Sequence, residues 1–202
     1  MRPRAGRCCV SMALAILALV VGTGRVSAQV IGGPVPITLN VNQSSSLTVT
    51  VQSGNVQTLV SPSLSNAITN FPTPVQILTA WDFRPNTVSS LSLVAYFATP
   101  AAALSGPNGT IAAGRVQGQV SSSAGPAVTA TTAWTAFTGN GVSANGVSGG
   151  TLILWTHAIS GNAAAVRKNQ QADRLDLRLN LLGVSLPTGS YSGTLVIRAL
   201  AL

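Results

Sequence analysis

The chain has 202 residues, of which only 7% are charged, whereas typical soluble domains carry about a quarter. It contains no glutamate, three aspartates and one histidine, too few groups for most acid–base or metal-dependent chemistry. The formal net charge is +8, but lysine and arginine are not gathered into a face with interleaved aromatic residues, as nucleic-acid binding requires. We therefore expect no enzymatic activity, no cofactor and no nucleic-acid partner.

The first 28 residues have the pattern of a secretory signal peptide. Arg2, Arg4 and Arg7 are followed by an apolar run over residues 8–21, and the small residues at 26–28 suit a signal peptidase. Those 14 apolar residues span about 21 Å as a helix, which is short of a hydrocarbon core about 30 Å thick. The pattern predicts cleavage after Ala28 and no membrane span afterwards.

Removal of this leader changes the chemistry of the chain. Cys8 and Cys9 both lie in the leader, so the predicted mature chain, residues 29–202, has no disulfide or thiolate. Loss of Arg2, Arg4, Arg7 and Arg25 lowers the net charge from +8 to +4. We expect a single exported domain, secreted or at the cell surface, with a surface made mainly of neutral polar residues.

The first half of this domain alternates apolar and polar residues, which is typical of strands with one buried face. The alternation predicts strands over residues 35–41, 47–51, 75–83 and 89–97. A turn at residues 84–86 predicts that the last two form a hairpin. After them, residues 99–118 predict a loop, with one helical turn over residues 100–104.

The second half predicts a short strand over residues 127–138, an Asn-Gly-rich loop, and strands over residues 151–159, 174–181 and 191–202. Leucines at 175, 177, 179 and 181 should face inward. About eight strands without a helical period predict an all-β fold, an Ig-like antiparallel β-sandwich preceded by the signal peptide.

Residues 186–197, Leu-Pro-Thr-Gly-Ser-Tyr-Ser-Gly-Thr-Leu-Val-Ile, resemble the closing hairpin of bacterial fimbrial and spore-coat-U-like subunits. Those subunits end with a proline-glycine turn, a tyrosine, a small residue and an alternating terminal strand. The resemblance implies an exported β-sandwich that serves as a structural subunit.

Three groups of polar residues are candidate sites. His157 shares a predicted strand face with Ile153, Trp155 and Ile159, and without further ligands it is expected to be structural. Asp82 lies between two aromatic residues, but with no second carboxyl nearby we expect it to accept turn hydrogen bonds.

The third group, Arg174, Asp176 and Arg178, points to one side of its strand. It is either an anion or glycan patch or an ordinary solvated face, and the second interpretation is favoured. Trp81 and Trp155 are expected in the core, because tryptophans on alternating strands are mostly buried. Trp134 has small, polar neighbours, and we single it out as a candidate ligand-stacking residue.

The segment after the cleavage site places apolar side chains at every second position, at Val35, Ile37, Leu39 and Val41. Such an arm either forms the first strand of its own domain or adds to the open edge of a neighbouring sheet. The sequence thus favours a structural or adhesive surface protein, a filament or coat subunit whose partner is itself or another surface protein. The alternative is a carbohydrate-binding module that uses exposed aromatic residues.

The leader generates the first prediction. We expect the exported protein to begin at Gln29, because residues 26–28 match the small-residue cleavage pattern. N-terminal sequencing or intact-mass measurement of secreted material tests this. Secreted protein that retains residues 12–21 would contradict it.

Overall fold

A computed structural model describes residues 46–57, 66–83, 87–126, 128–142, 146–160 and 164–202. The predicted leader and the predicted arm, with Val35, Ile37, Leu39 and Val41, lie outside these residues. The described chain is all-β, and its sheets are antiparallel. No helix in the described segments has the length and apolar character needed to cross a bilayer.

Seven strands in the described residues have seven or more residues, and five short strands lie between them. The strands are β1 (Ser46–Ser53), β2 (Ile68–Asn70), β3 (Val75–Asp82), β4 (Ser90–Phe97), β5 (Leu104–Gly106), β6 (Gly109–Ile111), β7 (Val116–Ala124), β8 (Thr129–Ala130), β9 (Thr135–Ala136), β10 (Thr151–Ala158), β11 (Lys168–Asn180) and β12 (Leu195–Ala201). One α-helical turn, α1 (Ala164–Arg167), precedes β11, and 3-10 turns cover Pro100–Ala102 and Ala113–Arg115. The helical turn expected over residues 100–104 is therefore present but shorter.

The first sheet has the order β1-β3-β11-β7-β9, and β2 pairs with the C-terminal end of β11. β11 is its central strand, thirteen residues long, with β3 and β2 on one side and β7 on the other. Leu175, Leu177 and Leu179 of β11 are buried, as the alternating sequence predicts. The C-terminal half of β11 thus presents a row of leucines on the inner face of the sheet.

The second sheet has the order β12-β4-β10-β8. Its central strand β4 is buried on both faces, because Ser92 and Val94 are as inaccessible as Leu91 and Leu93. Buried residues of both sheets form one hydrophobic cluster. Within it, the rings of Phe97 and Phe137 meet edge to face with centroids 5.2 Å apart, a favourable aromatic geometry.

The hairpin predicted from residues 75–83 and 89–97 is wrong. β3 belongs to the first sheet and β4 to the second, so the chain crosses between sheets after β3. The faces were nevertheless predicted correctly, since Trp81 and Phe83 are buried, as are Leu91 and Leu93. Alternation fixes which face of a strand is buried, but it does not fix which strand lies beside it.

One lateral side of the two sheets is crossed by residues 128–139, where a single strand was predicted. β8 pairs with β10, and β9 then pairs with β7. Between them, the Thr131 amide donates to the Leu154 carbonyl at 2.8 Å, and the Thr131 carbonyl accepts from the Val120 amide at 2.7 Å. Backbone hydrogen bonds to both sheets therefore cover this side. The two long edge strands, β1 and β12, lie on the other side and contact one another.

Gly118 on the inner face of β7 allows the two sheets to approach closely. A Cβ at this position would lie 2.9 Å from Leu152 Cδ2 of the second sheet and 3.2 Å from Leu175 Cδ1 of β11. Both neighbours are buried leucines that have little room to move. Any larger residue here would therefore have to displace buried leucine side chains.

We expect Gly118→Val to lower the free energy of unfolding by about 1–3 kcal/mol, because the added methyl groups overpack the core. Urea denaturation followed by tryptophan fluorescence measures the change. The control is Gln119→Ala on the opposite face of the same strand, which should change stability by less than about 0.5 kcal/mol. Equal effects of the two substitutions would show that the close approach is not needed.

Candidate functional site

A buried polar cluster lies at one end of the core, centred on Asp173 of β11. This carboxylate is 2% exposed and belongs to the inner face, next to Leu175 in the alternation. Trp155 Nε1 donates to Oδ2 at 2.7 Å, and Ser123 Oγ and Gln171 Nε2 donate to Oδ1 at 2.6 and 3.1 Å. Three donors thus replace the water that the carboxylate loses on burial.

Sequence reasoning missed this cluster, since the strand predicted over residues 174–181 does not include Asp173. Asp173 lies two residues before Leu175, so its side chain is on the same, inner side of the strand. This period of two was the signal in the sequence that could have identified Asp173 as buried. The partner Trp155 belongs to the other sheet, so the indole–carboxylate hydrogen bond joins β10 to β11. The cluster therefore connects the two sheets.

His157 packs beside this cluster, with its ring centroid 5.9 Å from that of Trp81, which is itself 6.4 Å from Trp155. The face predicted for this strand was partly wrong. A β-bulge after Ile153 makes the consecutive residues Leu154 and Trp155 both buried, so Ile153 is turned outward. Among the described residues, no group of three or more histidine, cysteine or acidic side chains is arranged to hold a metal ion.

The other candidate charges lie on the outer face of the first sheet. Asp82 pairs with Lys168, whose Nζ lies 3.0 Å from Oδ2. The turn at residues 84–86, whose amides were expected to bond to this carboxylate, lies outside the described residues. Arg174 Nε lies 3.2 Å from Asp176 Oδ1. Such exposed ion pairs stabilise the fold by about 0–1 kcal/mol each, and the two charges within each pair neutralise one another.

Trp134 is half-buried, and its ring carries the guanidinium of Arg178 at 4.4 Å from the centroid. Arg178 Nε also donates to Gln117 Oε1 at 2.6 Å, which holds the guanidinium over the ring. Trp81 and Trp155 are 2% and 0% exposed. Of the three tryptophans, Trp134 alone lies within reach of a ligand, and a side chain of the protein occupies one of its faces.

The edge strands β1 and β12 are a further candidate interaction surface. Within the described residues, β1 pairs only with β3, and β12 pairs only with β4. β1 contains no charged residue and no proline over its eight residues, and β12 contains one charged residue, Arg198. Charged residues and prolines are the features that natural proteins normally use to protect sheet edges. In the part of the chain that the structure describes, each of these long strands thus has one unpaired side with little electrostatic protection.

Comparisons with protein-family models, curated proteins and solved structures gave no match to this chain.

The buried cluster generates a stability prediction. Asp173→Asn should lower the free energy of unfolding by about 2–3 kcal/mol, because one acceptor oxygen becomes an NH₂ group that faces a donor. Asp176→Asn on the outer face of the same strand should cost less than about 1 kcal/mol, since it loses only an exposed ion pair.

Urea denaturation of both variants at one pH makes the comparison. Near-ultraviolet circular dichroism of the folded variants shows whether the Trp155 environment is retained. Equal stability of the two variants would contradict the role given to the inter-sheet hydrogen bond.

Proposed function

We propose that this chain is an exported structural or adhesive surface protein, a subunit that associates with copies of itself or with another surface protein by adding strands to open sheet edges. The observation that carries the proposal is the pair of edge strands, β1 and β12, on one side of the fold. Unpaired edge N–H and C=O groups form a template for an incoming strand. The protein's task in this proposal is assembly and not catalysis.

The distribution of charge supports association at β1. Its outward side chains include Thr48 and Thr50, which are exposed and neutral, while Leu47 and Val49 are buried. A second strand beside β1 would bring no like charges together and would bury no charged side chain. Lysines and prolines, which would oppose such pairing, do not occur in this strand.

The arm predicted from the sequence supplies a strand of suitable pattern. Val35, Ile37, Leu39 and Val41 alternate with other residues, so one face of the arm is apolar. Placed beside an edge strand, that face would continue the buried side of the sheet. The alternative is that the arm completes its own domain. Deletion of residues 29–41 distinguishes the two.

An Ig-like sandwich is the fold that best accounts for the two sheets. Both contribute to one core, and Tyr191 is buried and donates its hydroxyl to the Pro187 carbonyl at 2.9 Å. A tyrosine that bonds back to the backbone a few residues upstream is a recurring feature of such sandwiches. The same tyrosine belongs to the segment that resembles fimbrial and spore-coat-U-like subunits, which supports a subunit function.

Carbohydrate binding through exposed aromatic residues is the second candidate. Its support is Trp134, which is half-buried on the outer face of the first sheet. Stacking of a sugar would use the ring face opposite Arg178, or would require the guanidinium to move aside. A binding platform of several coplanar rings would need partners other than Trp81 and Trp155, which are buried.

The assembly proposal is tested by charge on the edge. We expect Thr50→Lys in β1 to reduce self-association at least about tenfold, because each added strand would bury or oppose a lysine. Gln119→Lys is the matched control, since it places the same charge on the same face of an interior strand, opposite Asp176. Sedimentation velocity and light scattering at rising protein concentration measure association.

A protein without residues 29–41 tests the arm. If the arm mediates assembly, the shortened protein remains folded and becomes monomeric. A folded monomer at high concentration both with and without the arm would contradict the assembly proposal. Unfolding of the shortened protein would assign the arm to its own core.

A further inference from the structure

An open depression lies on the outer face of the first sheet, near the end where β1 begins. Its volume is about 430 Å³, which falls in the range of about 300–1,000 Å³ common for ligand sites. The lining side chains come from three adjacent strands, and the register places them in two rows. One row is Ser46, Asp82 and Lys168, and the next is Thr48, Ala80 and Gln170.

The depression exists because a small residue lies between longer ones. Ala80 of β3 has Thr48 on one side and Gln170 on the other, so its methyl group forms the floor. Gln170 is exposed, and the Lys168 and Asp82 side chains are 74% and 49% exposed. The walls are therefore long, polar and accessible.

We propose that this depression binds a neutral, hydroxyl-rich ligand, namely a saccharide unit of a glycan. Asp82 and Lys168 neutralise each other at 3.0 Å, so the site offers no net charge to an anion or a cation. Carboxylate, ammonium, hydroxyl and amide groups together provide both acceptors and donors, as adjacent sugar hydroxyls require. The side chains around the Ala80 methyl are polar, which suits a hydroxylated ligand better than an apolar peptide side chain.

This site differs from the aromatic platform considered above. Trp81 lies at the depression, but its ring is 2% exposed, and its Nε1 donates to the Val166 carbonyl at 3.0 Å. Recognition would therefore rest on hydrogen bonds without stacking: Lys168 and Gln170 would donate to sugar oxygens, and Asp82 would accept from sugar hydroxyls. Binding of a single saccharide unit should be weak, and it does not depend on self-association.

Lys168 is the only lysine in the chain, which provides a direct probe. Reductive ¹³C-dimethylation labels its amine and keeps the positive charge. The labelled protein is titrated to 10 mM with cellohexaose, laminarihexaose, maltohexaose and chitohexaose, and the dimethyl-lysine resonance is followed by NMR. We expect a saturable shift with at least one of these neutral oligosaccharides.

Two variants locate the binding. Ala80→Gln fills the floor and should abolish the shift, and Gln170→Ala should weaken binding about three- to tenfold through the loss of one or two hydrogen bonds. Gln119→Ala on the same outer face should bind as the unmodified protein does. If Ala80→Gln fails to fold, as judged by tryptophan fluorescence, Gln170→Ala carries the test.

Absence of a shift with every oligosaccharide would overturn the proposal, as would equal binding by Ala80→Gln. An oligogalacturonate or a Ser/Thr/Gln-rich octapeptide that binds more tightly than the neutral oligosaccharides would also overturn it. Sedimentation velocity on the same samples measures self-association separately. Failure of the saccharide proposal can therefore be told apart from failure of the assembly proposal.

Discussion

The hydrogen bond from the Trp155 indole to the buried Asp173 carboxylate is the interaction on which the rest of the structure depends. It joins the central strand of the first sheet to a strand of the second. Residues 29–202 contain no cysteine, so no disulfide can hold the sheets together. A buried carboxylate tolerates only an arrangement that supplies its donors, because each lost donor leaves the charge uncompensated. The bond therefore fixes how β10 and β11 face one another.

That arrangement requires an irregularity in β10. The bulge after Ile153 turns Trp155 inward directly after the buried Leu154. Without the extra residue, the period of two would direct Trp155 to the outer face, and Asp173 would lose its indole donor. Strict alternation of this segment predicted Ile153 inside, and nothing in its composition marks the bulge. The feature is fixed by packing between sheets, which a local pattern does not contain.

The difference between local sequence patterns and packing between sheets also explains what the sequence could predict. Leucines of β11 and the apolar residues of β3 and β4 show their buried faces through alternation alone, which is why the all-β assignment is confirmed. Pairing depends on contacts distant in sequence, so the predicted hairpin was wrong. β7 was missed because its inward residues include Gly118, which gives no hydrophobic signal although it lies against buried leucines of both sheets. The depression was also missed, since it arises from Thr48, Ala80 and Gln170 on three strands.

The proposed edge association and the proposed face binding would use different groups of the same sheet, so the two are compatible. An incoming strand meets backbone N–H and C=O groups in the plane of the sheet, whereas a ligand meets side chains perpendicular to it. A strand added beside β1 would extend the wall formed by Ser46 and Thr48 and would leave the Ala80 floor open. Each subunit of such an assembly would carry one depression at a regular spacing. Sites that are individually weak would then bind a repetitive glycan together, with an apparent affinity about 10²–10⁴ times that of a single site. Neutral surfaces are suited to this arrangement, because like charges repeated along an assembly would repel one another.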